Sequence, residues 1–383
     1  MRPTAAAAVA ASTTVLGAGA AVAAGRYAAG AALRPNAGGL PPGFDGPPLT
    51  VHGTAAGQVT LTRSLDSLLP GIYGLTGRGC HAVVGNVLET PRPGGHVDGG
   101  SPDTVVRRLV RVTRGALRPG TRVRLTPQVY SGSPHDALGL DCQDVLVPGE
   151  LGPLPAWYLP GPRETWVIAV HGLGTTRDHP LVVLPLLHRM QFPVLSLGYR
   201  GDPGAPAPRD GANHFGDAEW RDLDAALRYA VGRGAARIVL IGWSTGATMA
   251  LYAAARSALR AHVAGLVLDS PVLDWRTTVR ALAGRRVPRA LLPLAVRAAE
   301  TRTEGAPERL ADATDPERLT EPVLILHGPG DRVASWGDSI DYAAARPDLV
   351  TVREVLRGRH GGAWNADPMG CEEALRRFLT PLM

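Results

Sequence analysis

The sequence predicts an α/β protein built on a mostly parallel sheet with helices on both faces, preceded by a smaller β-rich segment. Two observations carry the first part. From about Gln143 onward, short and almost wholly apolar runs recur: "TWVIAV" (165–170), "FPVLSL" (192–197), "ARIVLIG" (236–242), "HVAGLVLD" (262–269), "PVLILHG" (322–328) and "LVTVREV" (349–355). Between them lie amphipathic stretches such as "DAEWRDLDAALRYAV" (217–231). Strands buried on both faces read as continuous apolar runs, and strands alternating with helices pair in parallel. A third observation carries the second part. From Leu49 to about Tyr130 the runs are shorter and alternate between turn residues, as in "QVTLTRSL", "CHAVVGNVLE" and "TRVRLTPQVY". That is the pattern of half-buried strands, so 49–142 is expected to form a β-rich accessory segment.

The remaining stretches fall into place around these. Residues 1–33 are rich in Ala, and Thr4–Gly25 carries no charge, with Arg2 before it and Arg26 after it. As a helix this run of 22 residues would span roughly 33 Å, enough for a bilayer core. A cleaved signal peptide competes, because Ala-x-Ala triplets stand at 18–20 and 21–23. "RPNAGGLPPGFDGPP" (34–48) reads as a linker by its Pro and Gly content. "DVLVPGELGPLPAWYLPG" reads as a hairpin opening the domain at 143–383. Residues 271–320 interrupt the strand–helix alternation and are expected to cap the carboxyl edge of the sheet, where open α/β sheets bind their ligands.

Composition narrows the function. The net charge is +6 and every basic residue is Arg, but the charge is spread along the chain. The densest basic stretch, "VVRRLVRVTRGALRPGTRVRL", alternates Arg with Val and Leu, and aromatics are only 5%. Strands with one wet face explain it better than a nucleic-acid surface, so no nucleic-acid partner is expected. The three cysteines, Cys80, Cys142 and Cys371, include no C-x-x-C pair, and no metal site is expected. Three free buried thiols are expected, with a Cys80–Cys142 disulfide as the alternative in an exported chain.

Four short stretches carry the chemistry. "IGWSTGATMAL" places Ser244 in a G-x-S-x-G pattern, after one apolar strand and before a helical stretch. A sharp turn at such a junction exposes the serine as a nucleophile. "WVIAVHGLGTT" ends a strand in a glycine-rich loop, where Leu173 is the candidate for one oxyanion-binding amide. Thr245, the residue after the serine, is the candidate for the other, and His171 reads as a structural hydrogen-bonding residue. "PVLILHGPGDRVAS" puts Asp331 past a strand end, where a carboxylate would orient the base. Asp269, in "GLVLDSPVLDW", is its rival, and Asp274 is a third choice. "VREVLRGRHGGAWNADP" offers His360 as the base, completing the chain order Ser, Asp, His.

At these residues the chain resembles the α/β-hydrolase superfamily, over about residues 143–383. "HGLG", "GWSTG", "HGPGDRV" and "GRHGGAW" agree with it in order and spacing. The whole chain further resembles membrane-associated α/β-hydrolases of uncertain substrate from actinobacteria. The shared pieces are "GRYAAGAALRP", "GPLPAWYLPG", "GDAEWRDLDAALRYA", "LDSPVLDW" and "WNADP". Two departures stand out: Thr245-Gly246-Ala247 replaces the usual Met-Gly-Gly, and "RGRHGGAWN" is unusually rich in Arg and Gly. The resemblance implies a serine hydrolase acting on a small-molecule ester, thioester or amide, with no cofactor. An acyltransferase with the same residues, an amino-terminal peptidase, and a non-catalytic scaffold on the same fold are the alternatives. It also favours a retained membrane anchor over a secreted form, with the catalytic domain outside the cytoplasm.

Overall fold

A computed structural model of the 383-residue chain describes residues 19–34, 40–88 and 103–383. The two arginine-flanked ends of the alanine-rich start have different standing. Residues 1–18 lie outside the described residues, and no helix among the described residues is long and apolar enough to cross a membrane. The expected anchor is therefore not supported. What is described of that segment belongs to α1, whose helical residues run through 19–32. This helix lies on protein: Ala28, Ala29, Ala32 and Leu33 are buried, packed with Ala283, Ala295 and Val296. A Cβ added at Gly25 would lie 2.9 Å from Leu294 Cβ, so the small side chains serve close helix packing.

The β-rich segment closes into a barrel. Strands β1 (Leu49–Ala55), β2 (Gln58–Thr62), β3 (Tyr73–Gly77), β4 (Cys80–Val87), β5 (Thr104–Arg114) and β6 (Arg122–Thr126) pair antiparallel in the order β1-β2-β5-β4-β3-β6. Alternate residues such as Val59, Leu61, Leu75 and Val105 fill its interior, and closure leaves no free edge. One interior position is polar. Arg107 is fully buried and donates to the carbonyls of Ser67, Leu69 and Gly71, so it holds the segment 67–71 against the barrel.

After the short α2 (Pro134–Leu138), the second unit is an eight-stranded sheet. A hairpin, β7 (Gln143–Pro148) and β8 (Pro153–Leu159), forms its antiparallel edge. Then follow β9 (Thr165–Val170), α3 (Leu184–Arg189), β10 (Val194–Leu197), α4 (Trp220–Val231), β11 (Arg237–Trp243), α5 (Thr245–Arg256) and β12 (Val263–Asp269). A cap of α6 (Trp275–Ala283), α7 (Leu292–Thr303) and α8 (Ala306–Ala313) occupies the expected insertion. The chain closes with β13 (Val323–His327), α9 (Trp336–Ala345), β14 (Val350–Glu354), α10 (Ala363–Ala366) and α11 (Pro368–Leu379). The sheet order is β14-β13-β12-β11-β9-β10-β8-β7, with β9 to β14 parallel.

Both sheet faces are covered, which explains the unbroken apolar runs. Ile168, Leu240, Leu268 and Ile325 meet α4 and α5, while their neighbours Val167, Val239, Val267 and Leu324 meet α3 and α11. Parallel register aligns Gly242 with Val170, Trp243 with Asp269, and Asp269 with Leu326. The strands thus end level, and the loops that follow them meet at one edge.

The proline-rich stretch at 34–48 was expected to be a tether, and its described part, 40–48, is something else. Phe44 is buried, and a Cβ added at Gly43 would lie 3.2 Å from His360 Cβ. Gly174 packs as closely on Leu40, so residues 40–44 form a strap across the carboxyl edge. The three cysteines are free, Cys80 and Cys371 buried and Cys142 half-buried, so the Cys80–Cys142 disulfide does not form.

Asn365 in α10 joins the two units. Its side-chain amide donates to the carbonyls of Ile72 and Pro127, each at 2.9 Å, and its own carbonyl accepts from the Ile72 amide at 2.8 Å. Asn365→Ala would leave two carbonyls without their donors, at about 1–3 kcal/mol each. We expect the variant to lose about 2–4 kcal/mol of stability in urea unfolding. A loss below about 0.5 kcal/mol would show that the barrel is held elsewhere.

Candidate active site

Ser244 sits between β11 and α5 with φ 51° and ψ −115°, a conformation that costs a non-glycine residue energy and persists only where its surroundings impose it. The glycines on either side impose it here. A Cβ at Gly242 would lie 2.4 Å from the Ala247 nitrogen, and one at Gly246 would lie 2.2 Å from the Val170 carbonyl oxygen. Both positions of the pentapeptide are glycine because neighbouring backbone occupies the space. The Ser244 amide donates to the Asp269 carbonyl at 2.8 Å, which fixes the turn to the next strand.

The turn aims the serine side chain at His360. Ser244 Oγ lies 2.6 Å from His360 Nε2, and His360 Nδ1 lies 2.7 Å from Asp331 Oδ2. The Asp331 carboxylate accepts two further backbone bonds, from Val333 at 2.7 Å and Ala334 at 3.1 Å, and a side-chain bond from His327 Nε2 at 3.0 Å. Burial works to raise the Asp331 carboxyl, but the His360 charge and the imidazole bonds outweigh it and hold it well below the usual carboxylate range. His360 thus faces the Asp331 carboxylate with Nδ1 and the serine hydroxyl with Nε2. Ser244 and His360 are 5% and 3% exposed, and Gly43 of the strap packs on His360, so the bond between them lies away from bulk water.

The rival carboxylates are used differently. Asp269 is fully buried and accepts from Ser270 Oγ at 2.9 Å and from the Ala363 amide at 3.2 Å. Ser270 Oγ in turn accepts from the Gly361 amide at 3.0 Å. The pair therefore grips the chain just beyond His360. Burial pushes the Asp269 carboxyl up to about 7, against the bonds from Ser270 and Ala363. Two neighbouring carboxyls are thus driven apart, and Asp331 is the one held charged beside the imidazole. Asp274 caps α6 by accepting from the Thr277 amide and hydroxyl. His171 is fully buried and bonds Asp202 Oδ2 through Nε2 at 2.7 Å, away from the serine.

The loop after β9 lies against the same turn. A Cβ at Gly172, the residue before Leu173, would lie 3.0 Å from Ser244 Cβ. Thr245 begins α5, where the first amides of a helix have no intrahelical acceptor and the helix dipole favours negative charge. Among the described residues no group of His, Cys, Asp or Glu is placed to hold a metal ion.

Comparison with known proteins follows this geometry. A family model described as alpha/beta hydrolase fold matches residues 165–290. The esterase Pf2001 of Pyrococcus furiosus, solved in three crystal forms, superposes with a TM-score of 0.52 at 19% identity. Each form covers 66% of this chain, and 96%, 95% and 94% of the esterase chain is covered in turn. The chain has an α/β-hydrolase fold. The barrel matches a second family model, described as a domain of unknown function, over residues 50–126. No curated protein matches the chain.

Three contributors escaped the sequence reading. His327 reaches Asp331 from the end of its own strand; Ser270 holds the His360 loop; the strap covers it. "LDS" and "WNADP" marked Ser270 and Asn365 only as shared pieces, without a role.

Asp269 also sets a pH dependence. Its carboxyl titrates near ~3.9 when unfolded and about 7 when folded. Between those values the folded protein holds a proton that the unfolded chain has lost, so this stability is full below ~3.9 and is lost as pH rises to about 7. Asp331 acts with the opposite sign: its contribution is present above ~3.9 and is lost as acid titrates the lower native value. We expect Asp269→Asn to gain on the wild type by a few kcal/mol between about pH 4 and pH 8. Urea unfolding at both values checks this, and an unchanged difference between the two proteins would refute it.

Proposed function

We propose that the protein is a serine hydrolase of the esterase type, working through Ser244, His360 and Asp331. The observation that supports this most is the unbroken chain of short bonds from Ser244 Oγ through His360 to Asp331, at 2.6 Å and 2.7 Å, on a serine held at φ 51°. The Pyrococcus furiosus neighbour is an esterase, which agrees with this reading.

In this reading Ser244 Oγ attacks the carbonyl carbon of an ester or thioester while its proton passes to His360 Nε2. Asp331, already ionised, stabilises the resulting imidazolium through Nδ1–H. The amides of Leu173 and Thr245 donate to the oxyanion that develops on the carbonyl oxygen, and the amino end of α5 adds its dipole. Collapse of the tetrahedral intermediate releases the alcohol or thiol with the proton from His360. Water, activated by the same imidazole, then attacks the acyl-enzyme and regenerates Ser244.

A fluorophosphonate probe reads the nucleophile directly. Ser244→Ala is expected to lose all covalent labelling and to lose ester turnover by several orders of magnitude, with the circular dichroism spectrum retained. Labelling that persists in the variant would remove Ser244 from the mechanism. Asp331→Asn, which favours the wrong imidazole tautomer, is expected to lower kcat by about 10⁴, and Asp269→Asn by far less. The reverse ranking would transfer the orienting role to Asp269.

A further inference from the structure

A groove of about 1450 Å³ opens between the barrel, the cap and the loop that carries His360, and His360 lies in its lining. Its walls come from distant parts of the chain: residues 62–70 beside the barrel, Arg285 and Arg286 after α6, and residues 356–360. Three leucines that line it, Leu40, Leu65 and Leu356, are 46%, 72% and 71% exposed. A single exposed leucine needs no explanation, but three around one groove make an apolar track.

The charge of the groove is one-sided. Its two carboxylates are neutralised, Asp45 by Arg285 at 2.7 Å and Asp66 by Arg359 at 2.6 Å. Arg63, Arg286, Arg332 and Arg357 also line it, and none of them has a carboxylate within ion-pair distance among the described residues. Unpaired guanidinium groups converging on a concave surface focus a positive field and match the geometry of carboxylate and phosphate oxygens. The groove meets the site at His360, the group that gives its proton to the leaving alcohol or thiol in the reaction proposed above.

We propose that the leaving group of the substrate is amphiphilic, with an apolar stretch along the leucines and a terminal carboxylate or phosphate held by Arg286, Arg332 and Arg357. This rests on the serine-hydrolase reading and adds the substrate class to it. The reaction balances as a hydrolysis: the acyl–oxygen or acyl–sulfur bond breaks, water supplies the hydroxyl of the acid, and the leaving group departs protonated. Arginine gives the selectivity because its fork binds a terminal oxyanion and has nothing to bind on a methyl end.

The test uses the full-length protein and three butyrate esters that differ only at the far end of the alcohol: those of hexanol, of ω-hydroxyhexanoate and of hexanediol monophosphate. Butyrate release is followed at low and at high salt. The wild type is expected to prefer an anionic ester over the neutral one by about tenfold or more in kcat/KM, with the preference shrinking in salt. The better of the two anionic esters distinguishes carboxylate from phosphate. In the Arg286→Gln, Arg332→Gln, Arg357→Gln triple variant the ratio of anionic to neutral kcat/KM is expected to fall by about tenfold. Each single variant, read by the same ratio, covers a triple variant that fails to fold. No anionic preference in the wild type, or a preference that survives all the substitutions, overturns the proposal. Vesicles of phosphatidylglycerol and phosphatidylcholine provide a further arm. Binding to the anionic vesicles that needs these arginines, with no ester preference, would assign the groove to a membrane surface and overturn the substrate proposal. Fluorophosphonate labelling and turnover of the hexyl ester report the hydrolase reading separately. With both present, a missing preference defeats the groove proposal alone; with both absent, the two fall together.

Discussion

The carboxylate of Asp331 is the constraint around which this carboxyl edge is arranged. It lies inside the protein and yet accepts from two imidazoles and two backbone amides. An isolated buried carboxylate would be expensive, and these four donors make ionisation the stable state. Each donor also fixes a piece of chain. His327 ties the anion to the end of β13, Val333 and Ala334 fold the loop after it, and His360 brings in the loop after β14. The electrostatic requirement of one side chain thereby sets the positions of three neighbouring segments.

A second grip acts on the same His360 loop from the neighbouring strand. Asp269 and Ser270 hold the amides of Ala363 and Gly361, so the loop is fixed immediately after His360. Beyond it, Asn365 reaches the carbonyls of Ile72 and Pro127. Arg107 inside the barrel holds the carbonyls of residues 67–71, immediately before Ile72. Polar contacts therefore link the barrel interior to the His360 loop, and residues beside the barrel form one wall of the groove that His360 lines.

Local pattern made much of this legible. The inner strands β9 to β13 read as apolar runs, because burial on both faces leaves no polar alternation, whereas the edge strand β14 carries Thr351, Arg353 and Glu354 and is largely exposed. Ser244, Asp331 and His360 each follow a strand of this sheet, and level strand ends bring them together. The rest depends on contacts between distant residues, which carry no periodicity. Proline and glycine at 34–48 read as a linker, since composition does not reveal a surface on which the described part, 40–48, can lie. The alanine-rich run Thr4–Gly25 read as an apolar span, yet in the described helix at 19–32 the small side chains suit close packing on the cap. The short alternating strands indicated β structure, but closure into a barrel depends on β1 meeting β6, far along the chain. Asn365 lay in a quoted motif without a role because its partners Ile72 and Pro127 stand 293 and 238 residues away.

That separation has a consequence for synthesis on the ribosome. The strap and the barrel leave the ribosome first, while Ser244, Asp331 and His360 follow in that order. The surface of the barrel that receives Asn365 must wait for it, and so must the backbone that packs on His360. A nascent chain can fold its barrel and most of its sheet, since domains fold as units from the amino end. It cannot join Ser244 to a base until residue 360 has emerged. The chemistry proposed here thus waits for the strand–loop–helix unit of β14, the His360 loop and α11, and chains truncated before it would lack the reactive centre.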